Sequence, residues 1–367
     1  MRIVISGGGT AGHVSPGIAL AHELSARGHQ VSFVGTDRGV ETRMVPAAGF
    51  GLHVVRSRPF VRTLSLQAAK APFASAAAIR ACRPFVLGAG VVVGMGGYAS
   101  VPAVVAARRE RIPVVLHEQN AIPGMANRTL SRIARAVALS FPEAAVRFPG
   151  RVRTVLTGNP IREQVLRVRD HRDELAVEGR ERFGLEPGRR TVVVFGGSLG
   201  ALHIDRATVE ACRILRADLQ VLLITGTDHL EAMRAAWRDR GEGHVVLRME
   251  GFVDRMELVY AVADLIVARS GASSVAEISA LAIPAILIPY PHAVAGEQEA
   301  NARALERAGG ALIMLDRDVT GPSLAGAIAR LLADPGLLAS MAAGSASFGR
   351  PRAAAALADL VEEVARR

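Results

Sequence analysis

Lysine is almost missing from this chain: Lys70 is the only one in 367 residues, and arginine carries the rest of the positive charge. A phosphate loop of the form G-x-x-x-x-G-K-[ST] is excluded at the opening glycine run, because no lysine follows it. There are two cysteines, Cys82 and Cys212, far apart and without metal-ligand spacing. They fit small buried hydrophobes in a reduced compartment. Aromatic residues make up 4 % of the chain. That is scarce for base stacking, and no RNA-binding signature accompanies it, so nucleic acid is not an expected partner. No secretory signal is expected, since Met1-Arg2 leads directly into the first strand. Residues 85–107 carry no charge and are long enough to span a bilayer. Five glycines and Pro102 interrupt them. They read instead as strand Val91–Val93, turn Gly94–Tyr98 and a helix from Ser100. The one D-x-D, Asp316-Arg317-Asp318, reads as a solvated surface loop, so neither a metal site nor a cofactor is expected.

Charge is unevenly divided. Residues 1–158 hold 19 basic and 6 acidic side chains, a net of +13, and the remainder holds 25 and 28, a net of −3. A basic first half points to an anionic partner there, and an anionic membrane qualifies. The length accommodates two domains of ordinary size. Half the residues are hydrophobic, mainly Ala, Val and Leu, which suits helices packed on parallel strands.

The first turn organises the rest. Ile3-Val4-Ile5 is a β-branched run that stops at Gly7-Gly8-Gly9. Thr10-Ala11-Gly12-His13 follows, and after Pro16 comes a helical pattern in Ile18, Leu20, Ala21 and Leu24. Glycine permits a sharp bend and the close approach of a ligand. The helix N-terminus offers N–H groups and a positive dipole end to an anion such as a diphosphate. A purely structural strand-to-helix turn would read the same.

Strands and helices then alternate, with strands expected at Val31–Val34, Leu52–Val55, Val114–Leu116 and Thr154–Leu156. His117-Glu118-Gln119-Asn120 stands at the carboxyl end of a strand, the edge where open α/β sheets bind ligands. Residues 56–86 contain no acid. There Arg56, Arg58, Arg62, Lys70, Arg80 and Arg83 interleave with Phe60, Leu64, Leu66 and Phe73. The pattern fits an amphipathic segment on an anionic bilayer and equally a core helix with a solvated basic face. Residues 163–190, charge-rich and poorly periodic apart from one polar helix, read as an interdomain connection. The pattern restarts with Val192–Phe195 and Gly196-Gly197-Ser198-Leu199-Gly200, a second copy of the opening device. Further strands are expected at Val221–Ile224, Val245–Leu247, Leu265–Val267 and Ala285–Pro289, and the tail from Ser323 reads as helical.

Six strings occur in order: G-G-G-T-A-G-H, M-G-G-Y-A-S, H-E-Q-N-A, T-G-N-P-I-R, G-G-S-L-G-A and R-S-G-A-S-S-V-A-E. Together they resemble the MurG family of bacterial N-acetylglucosaminyltransferases over most of the chain. The resemblance implies an α/β chain of two Rossmann-like domains facing a cleft, the GT-B fold. Residues 1–160 would form an acceptor- and membrane-binding domain and 161–345 a UDP-GlcNAc-binding domain, and a C-terminal helix in 346–367 would pack back on the first. It implies inverting transfer of GlcNAc from UDP-GlcNAc to the MurNAc C4 hydroxyl of lipid I, the undecaprenyl-diphosphate-linked MurNAc-pentapeptide. The product is lipid II for peptidoglycan synthesis, made at the cytoplasmic face of the inner membrane by a peripheral enzyme on an anionic surface. Carried over by position, the donor contacts fall on Thr10, Ala11, Gly12, Asn120, Arg162, Ser198, Val253, Arg269, Ser270, Gly271, Ala272, Ser273, Ser274, Glu277 and Gln298, and the acceptor side on Gly96, Gly97 and Tyr98. Three positions depart from the family pattern: Ala11 replaces a glycine, Gln298 lacks the usual D-x-Q or D-H-Q lead-in, and Asp205 replaces an asparagine. A GT-B enzyme with a diacylglycerol or sterol acceptor would share the donor half, but H-E-Q-N and G-G-Y-A-S favour the peptidoglycan family.

The chemistry of the residues agrees. Glu277, on a helix after a strand, is suited to ribose hydroxyls. The turns at Gly196–Gly200 and Ser270–Ser274 suit the departing diphosphate. The attacking hydroxyl must lose a proton. His13 titrates in the right range, and Glu118 is expected either to orient it, as a carboxylate does in a triad, or to be the base itself.

Overall fold

The computed structural model describes residues 1–56, 66–197, 200–238 and 245–366, with residues 66–75 as backbone only. It divides into two units, residues 1–162 with 351–367 and residues 163–350.

The first unit is built on a wholly parallel sheet. Its strands are β1 (Arg2–Ser6), β2 (Gln30–Gly35), β3 (Gly51–Val54), β4 (Val91–Gly94), β5 (Val114–Glu118), β6 (Ala136–Leu139) and β7 (Thr154–Leu156). Their order is β3-β2-β1-β4-β5-β6-β7, so the direction of winding reverses between β1 and β4. The central strands are apolar on both faces because helices cover both. Ile3, Ile5, Val91 and Val93 face helix Ala11–Ala26 and the C-terminal helix Ala353–Arg366, whose Leu357, Leu360, Val361 and Val364 join that core. Val4, Val92, Val114 and Leu116 face the other way, toward helix Gly97–Arg109 and the Ala78, Cys82 and Val86 face of helix Leu66–Val86.

The second unit repeats the plan in six strands. These are β8 (Arg190–Phe195), β9 (Leu219–Ile224), β10 (Val246–Glu250), β11 (Leu265–Ala268), β12 (Ala285–Leu287) and β13 (Ala311–Ile313), in the order β10-β9-β8-β11-β12-β13. Winding reverses between β8 and β11. In each unit the glycine turn after the first strand therefore opens at the topological switch point, where ligands of open α/β sheets bind.

Three local readings change. The first helix starts at Ala11, with Pro16 buried inside it, and the helix after β4 starts at Gly97. The tail is helical as expected, in three helices, Gly321–Leu332, Pro335–Phe348 and Ala353–Arg366. Residues 163–183 are no linker: helix Val168–Phe183 buries Val168, Leu175, Ala176 and Phe183 in the second unit. A Cβ on Gly179 would stand 2.8 Å from the Leu258 carbonyl oxygen, so this glycine lets the helix approach helix Met256–Val262 closely. Its narrow apolar stripe is hidden among charges, which is why the sequence reads as a connection. In the stretch 56–86, residues 57–65 and the Lys70 and Phe73 side chains lie outside the described residues. In the remainder Arg80 and Arg83 are exposed, and Arg83 Nε donates to Glu110 at 2.6 Å. That part is a helix with an apolar buried face and a solvated basic one.

Candidate active site

In the first unit three strand ends meet. Met95 N–H donates to Ser6 O at 2.7 Å, and a Cβ on Gly7 would lie 2.7 Å from Met95 Cβ, so the turns after β1 and β4 touch through a glycine. Gln119 Nε2 donates to Met95 O at 2.7 Å and ties in the end of β5. His13 lies in the first turn of helix Ala11–Ala26, with Thr10 as N-cap. The Thr10 hydroxyl makes no cap bond. Its Oγ1 stands 2.9 Å from His13 Nδ1. With Nδ1 protonated and donating to Thr10, Nε2 holds the lone pair. The imidazole rests against the second turn: a Cβ on Gly96 would lie 3.2 Å from His13 Cδ2 and 3.4 Å from Nε2. Gly96 and Gly97 have φ of +87° and +71°, a region glycine adopts freely. Tyr98 reaches the first turn, 3.4 Å from where a Gly9 Cβ would be. Burial holds the His13 pKa below the ordinary histidine value, against the opposing pull of Glu41.

Glu118 has other partners than His13. One oxygen accepts from Asn120 N–H at 3.0 Å, the other from Gly124 N–H at 3.1 Å and Asn127 Nδ2 at 2.9 Å. Burial nonetheless pushes its pKa above the usual carboxylate value. The partner found on His13 Nδ1 is thus Thr10, and Glu118 shapes the loop after β5. Asn127 was not singled out from the sequence. It bridges His117 O at 2.9 Å and Glu118, beside the position of a Gly96 Cβ. His117 is fully buried, donates through Nε2 to Gly158 O at 3.0 Å, and has its pKa lowered to about 4 by that burial.

In the second unit the strand ends of β11 and β12 are stitched by Arg269. Its Nη1 donates to Ile288 O at 3.2 Å and Pro289 O at 3.1 Å and pairs with Asp316 Oδ1 at 2.6 Å. Asp316 is therefore not the solvated loop residue expected; the buried guanidinium needs a carboxylate, and the D-x-D supplies one. Ser270 Oγ donates to Gln298 O at 2.8 Å, and Gln298 Oε1 accepts from Tyr290 N–H at 3.0 Å, so these expected donor contacts cluster. Gly271 caps helix Ala272–Ala280, which puts Ala272, Ser273 and Ser274 in its first turn. On the same helix Glu277 Oε2 accepts from the buried Tyr260 hydroxyl at 2.6 Å. Val253 lies half-buried after β10. Ser198 lies outside the described residues. The remaining expected donor positions, Thr10, Ala11, Gly12, Asn120 and Arg162, belong to the first unit.

Two parallel α/β units, each with a glycine turn at its switch point, have the architecture of the GT-B fold class. Residues 3–139 match the glycosyltransferase family 28 N-terminal domain and residues 191–357 the C-terminal domain of the same family. The chain is similar to UDP-N-acetylglucosamine--N-acetylmuramyl-(pentapeptide) pyrophosphoryl-undecaprenol N-acetylglucosamine transferases. It is 37 % identical to that of Halothermothrix orenii over 100 % of both chains, and 41 % identical to that of Myxococcus xanthus over 98 % of this chain and 92 % of the relative. A crystal structure of Acinetobacter baumannii MurG matches with a TM-score of 0.79 at 29 % identity, over 99 % of both chains. The chain belongs to the MurG family of UDP-GlcNAc-dependent glycosyltransferases.

Proposed function

We propose that the chain transfers N-acetylglucosamine from UDP-GlcNAc, with inversion, to the MurNAc C4 hydroxyl of lipid I, giving lipid II. The observation that carries this reading is end-to-end similarity to relatives named for that transfer. In the reaction the acceptor oxygen attacks C1 of GlcNAc as the C1–O bond to the diphosphate breaks. The hydroxyl proton passes to His13 Nε2, with Thr10 Oγ1 accepting from the protonated Nδ1 in that tautomer. Glu118 serves by fixing the loop that carries Asn120. Gly196-Gly197 and the N-terminus of helix Ala272–Ala280 receive the growing negative charge of UDP. Glu277, held by Tyr260, binds the ribose. The test is UDP release from UDP-GlcNAc with a lipid I analogue, set against a diacylglycerol and a sterol. Release with either of the latter and none with lipid I would overturn the acceptor.

For location, the reading is peripheral attachment to the anionic cytoplasmic face of the inner membrane through residues 56–86. No single helix among the described residues is long and apolar enough to cross a membrane. Each basic side chain near an anionic surface contributes about 1 kcal/mol. Replacing Arg62, Lys70 and Arg80 by serine should weaken sedimentation with anionic liposomes and leave UDP binding intact. Equal sedimentation would move the attachment elsewhere.

A further inference from the structure

Glu41 stands outside the six strings, yet the first glycine turn is folded around it. It opens helix Glu41–Ala47 and is fully buried. Its Oε2 accepts from Gly9 N–H at 2.9 Å, and its Oε1 accepts from Thr36 N–H at 2.9 Å and from Thr36 Oγ1 at 2.7 Å. Three glycines make room for this carboxylate. A Cβ on Gly8 would lie 2.2 Å from Oε1, one on Gly39 1.9 Å from Oε2, and one on Gly35 2.7 Å from Glu41 Cγ. Space for a side chain is thus removed from the turn after β1 and from the end of β2, on opposite sides of one buried acid.

We infer that Glu41 is a positioning residue for glycosyl transfer: it clamps the turn Gly7–Thr10 in the shape that presents His13. A buried carboxylate is tolerated only where donors satisfy it. Here they outweigh the burial that would raise its pKa and hold it below the usual carboxylate range. The Gly9 N–H is turned inward to this internal anion, so it is not a donor for a bound diphosphate. The turn therefore works as a mount for Thr10 and His13. Glu41 also acts on His13 through its charge, favouring the protonated ring. His117, from β5, also feels the charge of His13, and burial keeps it neutral near pH 7.

The inference rests on the proposed base role of His13 only for its pH readout. The experiment compares Glu41→Gln, Thr36→Val and Thr36→Ser with the wild-type chain in the lipid I assay, each checked for folding by thermal melting. Glu41→Gln keeps the volume, but its amide cannot both accept from Gly9 and satisfy Thr36 as before. A displacement of the mount on the order of an ångström costs about 100-fold in rate. The expected result is a loss of kcat of tenfold or more in Glu41→Gln, a smaller loss in Thr36→Val, and near wild-type kcat in Thr36→Ser, which keeps the hydroxyl. The acid limb of the kcat/KM profile should move to lower pH in Glu41→Gln, since neutralising Glu41 removes a charge that favours His13 protonation. A folded Glu41→Gln with kcat within threefold of wild type overturns the inference. So does a loss accompanied by an unmoved pH profile and fully accounted for by lowered Tm. His13→Ala, assayed alongside, separates the two ideas: an active His13→Ala refutes the base, while a crippled Glu41→Gln still supports the clamp.

Discussion

Replacing Gly96 by alanine tests the claim that the second glycine turn exists to seat His13. Gly96 has φ +87° and ψ −175°, a conformation reached almost only by glycine. Forcing an L side chain into it costs about 1–3 kcal/mol. The new methyl group also meets atoms on two sides, His13 Cδ2 at 3.2 Å and Asn127 Nδ2 at 3.3 Å. Neither contact is severe enough to prevent folding, and the imidazole must yield by a few tenths of an ångström. At roughly 2–4 °C per kcal/mol for a domain of this size, Tm should fall by about 2–12 °C. The rate should fall further than stability does, because the displaced ring is the proposed base and the Cδ2 that is pushed is bonded to its Nε2. The assay is kcat with a lipid I analogue at a temperature well below the new Tm, alongside UDP affinity by calorimetry. The expected outcome is kcat reduced by about tenfold or more with UDP affinity retained. A Tm loss in that range with unchanged kcat would show that the contact between Gly96 and His13 does not matter for transfer, and the proposed base would lose its main geometric support.

Four other outcomes are expected. His13→Ala should lower kcat by roughly 10²–10⁴-fold while UDP still binds; because burial lowers the His13 pKa, the neutral and active ring should persist below the ordinary histidine midpoint, keeping the acid limb of kcat/KM under about pH 6.5. Glu277→Ala should raise the KM for UDP-GlcNAc about tenfold, and Tyr260→Phe, which removes only the hydroxyl that orients Glu277, should raise it less; the reverse order in steady-state kinetics would count against the ribose role. Asp316→Asn leaves Arg269 buried without its carboxylate and should destabilise by about 3–5 kcal/mol in chemical denaturation, since breaking one side of a buried pair strands the other. Asp205 is fully buried, and burial raises its pKa to about 7 despite His229 Nδ1 at 3.3 Å; a raised folded-state pKa gives stability below the unfolded value near 4 that is lost as pH rises toward 7, so Asp205→Asn should flatten stability against pH over that window, and denaturation curves with equal slopes for both chains would refute it.

The sheets were legible because β-branched runs such as Ile3–Ile5, Val91–Val93 and Val192–Val194 are apolar on both faces, and glycine punctuates their carboxyl ends. The strands Ala136–Leu139 and Ala311–Ile313 escaped notice for the opposite reason: each is short and alanine-bearing, and becomes a strand only by pairing beside β5 or β12. The same distinction governs the site. His13, Gly96, Gly97 and Glu118 lie at strand ends inside recognisable strings, so sequence order alone brought them to one edge. The partnerships did not follow from order. Whether Glu118 meets His13 or the backbone of Asn120 and Gly124 depends on where a six-residue loop turns, and no periodicity encodes that. Glu41 lay deeper still, in a short polar segment after β2, with no motif to mark it. Its one trace in the sequence is indirect: Gly35 and Gly39 flank Thr36, and Gly8 lies far upstream, each lacking a side chain where the carboxylate must pass. A glycine whose absent Cβ is replaced by another residue's charged group is evidence about that residue. Such glycines cannot be told from turn-forming ones until the chain is folded, which is why a clamp can shape an active-site turn without belonging to any of the six strings.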